Sequence, residues 1–235
     1  MKIVSYNIQH CASHMCGKQI DYELFCDTVK SFDADVVGLN EVYGKGEHPG
    51  FDGQAEILSE GSGLKHSFFA PAIMWRGNNP YGNALLSKSP ILQAENIPVP
   101  DPAQRAFKNH YETRCLLKAK LANGLTVLVI HFGLNPDEQE NAVATVLAHL
   151  EHEKCVLMGD FNVRPDNPVL DPIRERMVDT AQLSDDALLS FPSDAPECKI
   201  DYVFVSPDLK AKRVEVPACT SSDHRPYLVE LAENV

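Results

Sequence analysis

The sequence is poor in basic residues and contains no run of them. Its 235 residues include 21 Lys and Arg against 33 Asp and Glu, which gives a formal net charge of −12. Binding along a nucleic-acid duplex requires clustered cations that neutralise successive phosphates. We therefore expect that long duplex nucleic acid is not the partner of this chain, although a local basic pocket is compatible with its acidic charge.

Long apolar runs are absent too. No stretch approaches the ~20 residues that a transmembrane helix requires. The opening MKIVSYNIQH lacks the extended apolar segment of a secretory signal. These absences predict a cytoplasmic protein with no membrane partner. The seven cysteines, none of which forms a CxxC pair, are then expected to be free thiols in a reducing compartment.

Repeats, low-complexity tracts and Gly/Ser linkers are also missing. The simplest interpretation is one domain spanning residues 1–235, which we expect to act as a monomer. Hydrophobic residues make up 44% of the chain, enough for a sizeable core.

What is present is a series of short segments rich in β-branched residues, each bounded by polar ones. The nine predicted strands are 2–8, 35–42, 66–73, 82–88, 114–121, 125–132, 154–161, 200–206 and 226–231. The letters ANG join 114–121 to 125–132, which indicates a hairpin.

Two stretches have helical periodicity. Residues 21–32 place Leu24, Phe25, Val29 and Phe32 on one face, with Asp21 as the N-cap. In 135–152, Asn135 caps the helix and Pro136 follows in the first turn. Many strands and few helices favour two packed sheets covered by helices.

Polar residues stand at the ends of these apolar segments. They are Asn7, Glu41, His131, Asp160, Asn162, Asp201, Asp223 and His224. Each has an ordinary explanation when taken alone. Asn7 can end a strand, Asp160 and Asn162 can form an Asx turn, and His131 can be a hydrogen-bonded core residue.

As a set, these residues favour a functional site. A carboxylate buried against apolar strands is costly unless it is paired or binds a metal. Oxygen ligands suit a hard cation such as Mg²⁺ or Mn²⁺. A histidine beside a carboxylate suits general acid–base catalysis.

Eight motifs in order resemble the endonuclease/exonuclease/phosphatase superfamily, the group of DNase I-like nucleases, sphingomyelinases, inositol phosphatases and deadenylases. They are SYNIQ, GLNEV, YGNALLSKSPI, ETR, VIHFGL, GDFN, KIDYVFVS and SSDHRP, and they span nearly the whole chain. GDFN alone is weak evidence, whereas GDFN followed by IDYVFVS and then SDH is specific.

The resemblance implies an α/β fold of four layers, α/β/β/α, with two mixed β-sheets flanked by helices. It implies a hydrolase of phosphate esters that uses a divalent metal, Mg²⁺ or alternatively Mn²⁺. The metal would be held by Glu41 with Asn7 beside it, and Asp223 would be a further ligand or an electrostatic partner.

The resemblance also implies roles for the other strand-end residues. His224 would be the catalytic histidine, oriented by Asp201. Asp160 would activate the attacking water, and Asn162 would hold that water or a phosphate oxygen. His131 would stabilise the charge that develops on the phosphoryl group, and Arg114 would approach the phosphate.

The chain departs from the family pattern in two places. Asn40 stands where many relatives have Gln before the metal-binding Glu, which affects the surroundings of the site more than the site itself. The segment CASHMCG (11–17) after the first strand is unusual. His14 within it and His10 just before it could reach the site or could be loop decoration, and we favour decoration.

Two loops bear on the substrate. Segments 75–83 and 98–114 interleave aromatic residues, Tyr81 among them, with cations such as Arg114. This pattern suits binding of a nucleotide base and phosphate, and it equally suits a solvated loop with a packed anchor. We therefore predict a phosphoesterase for a small or single-stranded phosphodiester or for a phosphomonoester. The alternatives are a nuclease acting on DNA or RNA and a non-catalytic scaffold of the same fold.

Overall fold

Two β-sheets form the centre of the molecule in the computed structural model, which describes residues 1–232. The first has the strand order β11-β12-β1-β2-β4-β3, and the second has the order β5-β6-β7-β8-β10-β9. The strands are β1 (Lys2–Asn7), β2 (Val36–Tyr43), β3 (His66–Trp75), β4 (Asn79–Ser87), β5 (Ile91–Pro98), β6 (Cys115–Leu121), β7 (Thr126–His131), β8 (Cys155–Asp160), β9 (Val178–Asp179), β10 (Asp201–Val205), β11 (Ala211–Glu215) and β12 (Tyr227–Leu231).

Both sheets mix parallel and antiparallel pairs. β1 runs parallel to β2, and β7 runs parallel to β8, whereas the remaining neighbours pair antiparallel. The sheets pack face to face through a shared apolar layer that includes Ile3, Val129, Met158, Val203 and Val229.

Helices cover the outer face of each sheet. Beside the first sheet lie α1 (Tyr22–Ser31) and α2 (Gln54–Ser62), and beside the second lie α3 (Pro136–His149) and α4 (Asp171–Arg174). Short 3₁₀ turns occur at Gln9–Cys11, Pro168–Leu170 and Thr180–Leu183. The arrangement is the predicted four-layer α/β/β/α sandwich, so the fold class is confirmed.

The two predicted helices begin where their caps indicated. Asp21 accepts a hydrogen bond from the Leu24 N–H at 2.9 Å, and Glu138 reaches back to accept one from the Asn135 N–H at 3.2 Å. These bonds satisfy N–H groups that a helix start otherwise leaves unpaired. The N-cap predictions are therefore confirmed.

All nine predicted strands are present, and the ANG hairpin joins β6 to β7. Strands β5, β9 and β11 and helices α2 and α4 were not predicted from the sequence. Strands β5 and β11 lie at sheet edges and contain no buried residue, so their sequences ILQAENIP and AKRVE carry little apolar alternation. Within residues 1–232, no helix has the length and apolar character that crossing a membrane would require.

Gly38 marks a close approach of the two sheets. A Cβ atom at this position would lie 2.5 Å from the Met158 Sδ and 2.9 Å from a Val129 methyl carbon of the opposite sheet. Such contacts are shorter than packed side chains tolerate. The absence of a side chain at Gly38 therefore sets how closely β2 approaches β7 and β8.

We predict that Gly38→Ala lowers the free energy of unfolding by about 1–3 kcal/mol, because the added methyl group overpacks the layer between the sheets. Met158→Ala alone should cost about 2–5 kcal/mol by leaving a cavity. In the double variant the methyl group fills part of that cavity, so the measured loss should be smaller than the sum. Urea unfolding of the four proteins tests this, and strictly additive losses would contradict the close approach.

Candidate functional site

The chain topology brings the predicted polar residues to one edge of the sandwich. Asn7 and His131 end β1 and β7, each a member of a parallel pair, and Asp160 ends β8. Strand β10 runs antiparallel to β8, so its first residue, Asp201, lies opposite Asp160. Strand ends that are distant in sequence therefore meet at a single edge of the two sheets.

A bulge in β2 turns Glu41 toward this edge. Leu39 pairs with Ala84 and Val42 with Gly82, so Asn40 and Glu41 together face one partner residue on β4. Glu41 has a φ of 57°, which is the left-handed region that residues with a side chain seldom adopt. The extra residue breaks the in-and-out alternation of the strand, and bulges are a common means of re-aiming a side chain next to a site.

The buried Asn40 connects the two sheets just below the site. Its Oδ1 accepts the backbone N–H of Asp160 at 2.9 Å. Its Nδ2 donates to the carbonyl of Ile130 at 3.0 Å and to Oδ1 of Asn83 at 2.8 Å. Asn40, the residue that departs from the family pattern, therefore fixes the position of the Asp160 backbone relative to β2.

Asp160 lies at the centre of the cluster. Its Oδ2 accepts a hydrogen bond from Nδ2 of Asn7 at 3.1 Å and is 3.5 Å from Nε2 of both His131 and His224. Burial raises the pKa of Asp160 above its usual value, and the neighbouring His224 opposes that shift most strongly. A carboxylate among one amide and two imidazoles is placed to accept a proton.

Asn162 takes part in both a turn and the site. Its N–H donates to Oδ1 of Asp160 at 2.9 Å, which closes an Asx turn, and its φ is 52°. Its side-chain Nδ2 donates to the Phe132 carbonyl at 3.0 Å and lies 3.1 Å from Nε2 of His131. The turn and the functional interpretations of this pair are therefore compatible, because the turn is what places the amide beside His131.

His224 is held between two carboxylates. Its Nδ1 is 2.9 Å from Oδ2 of Asp201, and both residues are buried. Burial disfavours the charged imidazolium, but Asp201 and Asp160 outweigh it and raise the pKa of His224 to about 10. His224 is therefore a cation at neutral pH, with Nε2 directed at the centre of the site.

His131 has the opposite electrostatic environment. Burial, and then the charges of Arg114 and His224, lower the pKa of His131 well below its usual value. Two donors flank the ring, because Nη1 of Arg114 is 3.2 Å from Nδ1 of His131 and Nδ2 of Asn162 is 3.1 Å from Nε2. A neutral imidazole accepts at only one of its two nitrogens. The site thus contains one neutral and one cationic histidine.

The predicted metal ligands also lie near one another. Nδ2 of Asn7 donates to Oε1 of Glu41 at 3.1 Å. Burial raises the pKa of Glu41, with the negative charge of Asp223 adding to the shift and the Asn7 bond opposing it. Two carboxylates that destabilise each other beside an amide form an oxygen-rich set that fits a hard divalent cation.

A second candidate set is less suited to a metal. One ligand atom from each of Asp160, Asp201 and His224 lies within 4.8 Å of the others. However, Oδ2 of Asp201 already accepts a bond from the Ser190 hydroxyl at 2.6 Å and contacts His224. Because these atoms are already engaged in hydrogen bonds, the Glu41 side of the cluster is the better candidate for a cation.

Two of the three predicted substrate residues, Arg114 and Tyr81, lie on one flank of the site, and the third is Asn162. Arg114 forms an ion pair with Glu112, and its buried Nε has no hydrogen-bond partner among residues 1–232. The Tyr81 ring packs against Tyr43 at 5.8 Å between centroids. Burial, and next the charges of Glu41 and Glu112, raise the pKa of Tyr81, so its hydroxyl stays protonated and can donate a hydrogen bond.

In the other aromatic–cation pairs of these loops, the cation stacks on the aromatic ring of its own pair. Arg76 lies over the Trp75 ring at 4.4 Å and Arg105 over the Tyr111 ring at 5.3 Å. The Tyr111 hydroxyl donates to Asp137 at 2.9 Å. For Tyr111 the packed-anchor interpretation is therefore the better one.

Some residues around the cluster were not identified from the sequence. Gln9 donates to Oδ2 of Asp223 at 2.7 Å, and His10 stacks on Tyr43 at 4.6 Å, so the unusual loop after β1 adjoins the site. Gln9 and His10 have φ values of 43° and 46°. No sequence pattern predicts left-handed residues at these positions. Glu112 and Ser190 likewise lie in segments without a distinctive pattern.

A sequence model described as the Endonuclease/Exonuclease/phosphatase family matches residues 4–224. The family comprises phosphoesterases and nucleases, hydrolases that act on phosphate esters. No curated protein matches the sequence.

Solved structures share the fold at low identity. An endonuclease/exonuclease/phosphatase from Beutenbergia cavernae has a TM-score of 0.80 at 21% identity, over 98% of this chain and 71% of that one. A mannosyl-6-phosphatase from Bacteroides thetaiotaomicron has a TM-score of 0.74 at 18% identity, over 99% of both chains. The human Nocturnin catalytic domain with bound sulfate has a TM-score of 0.71 at 17% identity, over 99% of this chain and 94% of that one.

We predict that Asn40→Leu destabilises the fold by about 1–3 kcal/mol for each buried group that loses its partner. The affected groups are the Asp160 N–H, the Ile130 carbonyl and the Asn83 amide. The matched variant Asn96→Leu removes only an exposed bond to the Pro71 carbonyl and should change the stability little. Thermal unfolding measures both, and an equal effect of the two variants would rule out the bridging role of Asn40.

Proposed function

The chain belongs to the Endonuclease/Exonuclease/phosphatase family, and we propose that it is a divalent-metal-dependent phosphoesterase that hydrolyses a small phosphodiester or phosphomonoester. The observation that carries the proposal is the position of Asp160, whose Oδ2 lies 3.5 Å from both His131 and His224 and accepts from Asn7. Asn7 in turn holds Glu41. Asp160 as proton acceptor, the imidazolium of His224 and the candidate metal ligands therefore lie within one cluster.

Glu41, Asn7 and Asp223 would hold Mg²⁺, or alternatively Mn²⁺. When bound, the ion would supply positive charge to the phosphate oxygens, a frequent source of catalysis in phosphoryl transfer. The mutual repulsion of the Glu41 and Asp223 carboxylates supports this assignment, because a dication relieves it.

Asp160 and Asn162 would orient the attacking water. Asp160 would accept its proton as the water oxygen bonds to phosphorus and the ester P–O bond breaks. The Asx turn that joins the two residues fixes the carboxylate and the amide relative to each other. Such fixed orientation lowers the entropic part of the barrier.

The two histidines and Arg114 would stabilise the phosphoryl group. The imidazolium of His224, oriented by Asp201, would face a phosphate oxygen or the departing ester oxygen. The neutral His131 would stabilise the developing charge together with Arg114, whose Nη1 is 3.2 Å from its Nδ1. The free Nε–H of Arg114 supports a role in anion binding.

A small substrate agrees best with the charge of this flank. Glu112 neutralises part of the Arg114 charge, and the net charge of the chain is −12. A polyanionic nucleic acid would meet repulsion from such a surface. The fold shared with a mannosyl-6-phosphatase is compatible with a phosphomonoester of a neutral leaving group.

We predict that the purified protein hydrolyses p-nitrophenyl phosphate or bis-p-nitrophenyl phosphate with Mg²⁺ or Mn²⁺ and not with EDTA. His224→Ala should reduce kcat by about 10²–10⁴-fold, the usual contribution of a positioned acid or base. The exposed His152→Ala serves as a control and should leave kcat unchanged. Absence of turnover on both esters and on a single-stranded oligonucleotide, with either metal, would refute the proposed function.

We further predict that Glu41→Gln raises the Mg²⁺ concentration for half-maximal rate by at least about tenfold, because one ligand charge is lost. Excess Mg²⁺ should then restore part of the rate. Glu23→Gln, on the exposed side of α1, is the matched control. An unchanged Mg²⁺ response in Glu41→Gln would show that Glu41 is not a ligand.

A further inference from the structure

A lysine is buried behind the site, and the proposed chemistry does not use it. Lys199 is only 3% exposed, whereas lysine is almost never buried without a partner. Its Nζ donates to the backbone carbonyl of Asp201 at 2.8 Å. The same nitrogen lies 3.1 Å from the centre of the Tyr202 ring and 4.8 Å from that of Tyr227.

Only one oxygen of the nearby Asp201 carboxylate has hydrogen-bond partners among residues 1–232. Oδ2 of Asp201 receives both of its partners, the Ser190 hydroxyl at 2.6 Å and Nδ1 of His224 at 2.9 Å. Oδ1 is buried and has no hydrogen-bond partner among residues 1–232. A buried carboxylate with an unpartnered oxygen needs compensating charge nearby.

Charged side chains alternate in sign from the surface to the centre of the site. Arg174 pairs with Asp179 at 3.6 Å, and Asp201 pairs with His224 at 2.9 Å, which is 3.5 Å from Asp160. Lys199 is within electrostatic range of both pairs, because the charges of Asp179, Asp201 and Arg174 all act on it. Burial lowers the pKa of Lys199 to about 7, while Asp179 and Asp201 act in the opposite direction and preserve part of its charge.

We propose that Lys199 is a positioning residue for His224. It holds the backbone of Asp201 in place, and its charge compensates the carboxylate that orients the histidine. This inference rests on the proposed function, in which His224 acts at the phosphate. Lys199, the first residue of KIDYVFVS, then affects turnover although its side chain does not reach the reacting atoms.

The charge and the hydrogen bond of Lys199 can be separated by substitution. Lys199→Gln keeps a donor for the Asp201 carbonyl and removes the charge, whereas Lys199→Arg keeps both. We expect Lys199→Gln to lower kcat by about tenfold with KM unchanged, within the range found for residues that support a catalytic or metal-bound histidine. Lys199→Arg should recover most of that loss. Assays below pH 7 keep the wild-type ammonium charged.

A matched control separates this effect from loss of stability. Thr180 is buried in the same interior, donates to the Val203 carbonyl at 2.7 Å and is 3.3 Å from the Tyr227 hydroxyl. Thr180→Val should lower the melting temperature without changing kcat. If Lys199→Gln behaves like Thr180→Val, or if Lys199→Arg fails to recover kcat while folded, Lys199 is only a packing residue.

A spectroscopic measurement tests the inference without turnover. The Nδ1–H proton of His224 should give a downfield proton resonance, identified by its loss in His224→Ala. We expect this resonance to shift in Lys199→Gln and to return toward the wild-type position in Lys199→Arg. An identical position in all folded variants would overturn the inference. Failure of the wild type to hydrolyse any ester would count against the proposed function and leave this result intact.

Discussion

The hydrogen bonds of the Asn40 side chain set the geometry on which the site depends. One amide accepts the Asp160 N–H from the second sheet and donates to the Ile130 carbonyl and to Asn83. Face-to-face sheets are otherwise held by non-directional apolar contacts, which permit sliding. Directional bonds at the edge remove that freedom, and Gly38 allows the close approach that the bonds require. Glu41, next in the chain, is thereby held at a fixed distance from the other sheet.

Burial of charge is the second constraint. Asp160, Asp201 and His224 are all nearly inaccessible to water, so each needs a neighbour of opposite sign. His131 meets the same constraint in its neutral form, because burial and then the charge of Arg114 lower its pKa. His131, at the end of β7, and His224, in the loop before β12, are both buried, so the charges around them account for their different protonation. Such divergent environments commonly divide acid and base roles within one site.

The sequence predicted the layers, nine strands, both long helices and the set of strand-end residues, because these depend on local apolar patterning and on chain order. It could not predict the left-handed conformation of Glu41, which arises from a bulge against β4 that only the paired sheet defines. The roles of Gln9 and Lys199 were also missed. Gln9 binds Asp223, which lies far away in the sequence. Lys199 binds a backbone carbonyl, that of Asp201, and no side-chain motif indicates such a bond. Edge strand β5 was missed because exposed strands need no apolar alternation.

The balance of charge links the proposed cation to the proposed substrate. Glu41, Asp160 and Asp223 converge on a volume where His224 and Arg114 supply positive charge, and Arg114 is already paired with Glu112. Without a divalent ion this environment disfavours a phosphate, since the carboxylates repel it at short range in a low-dielectric setting. An ion held at Glu41, as proposed, would offset this repulsion. The same carboxylates would then make phosphate binding conditional on the metal and couple substrate affinity to occupancy of the proposed cation site.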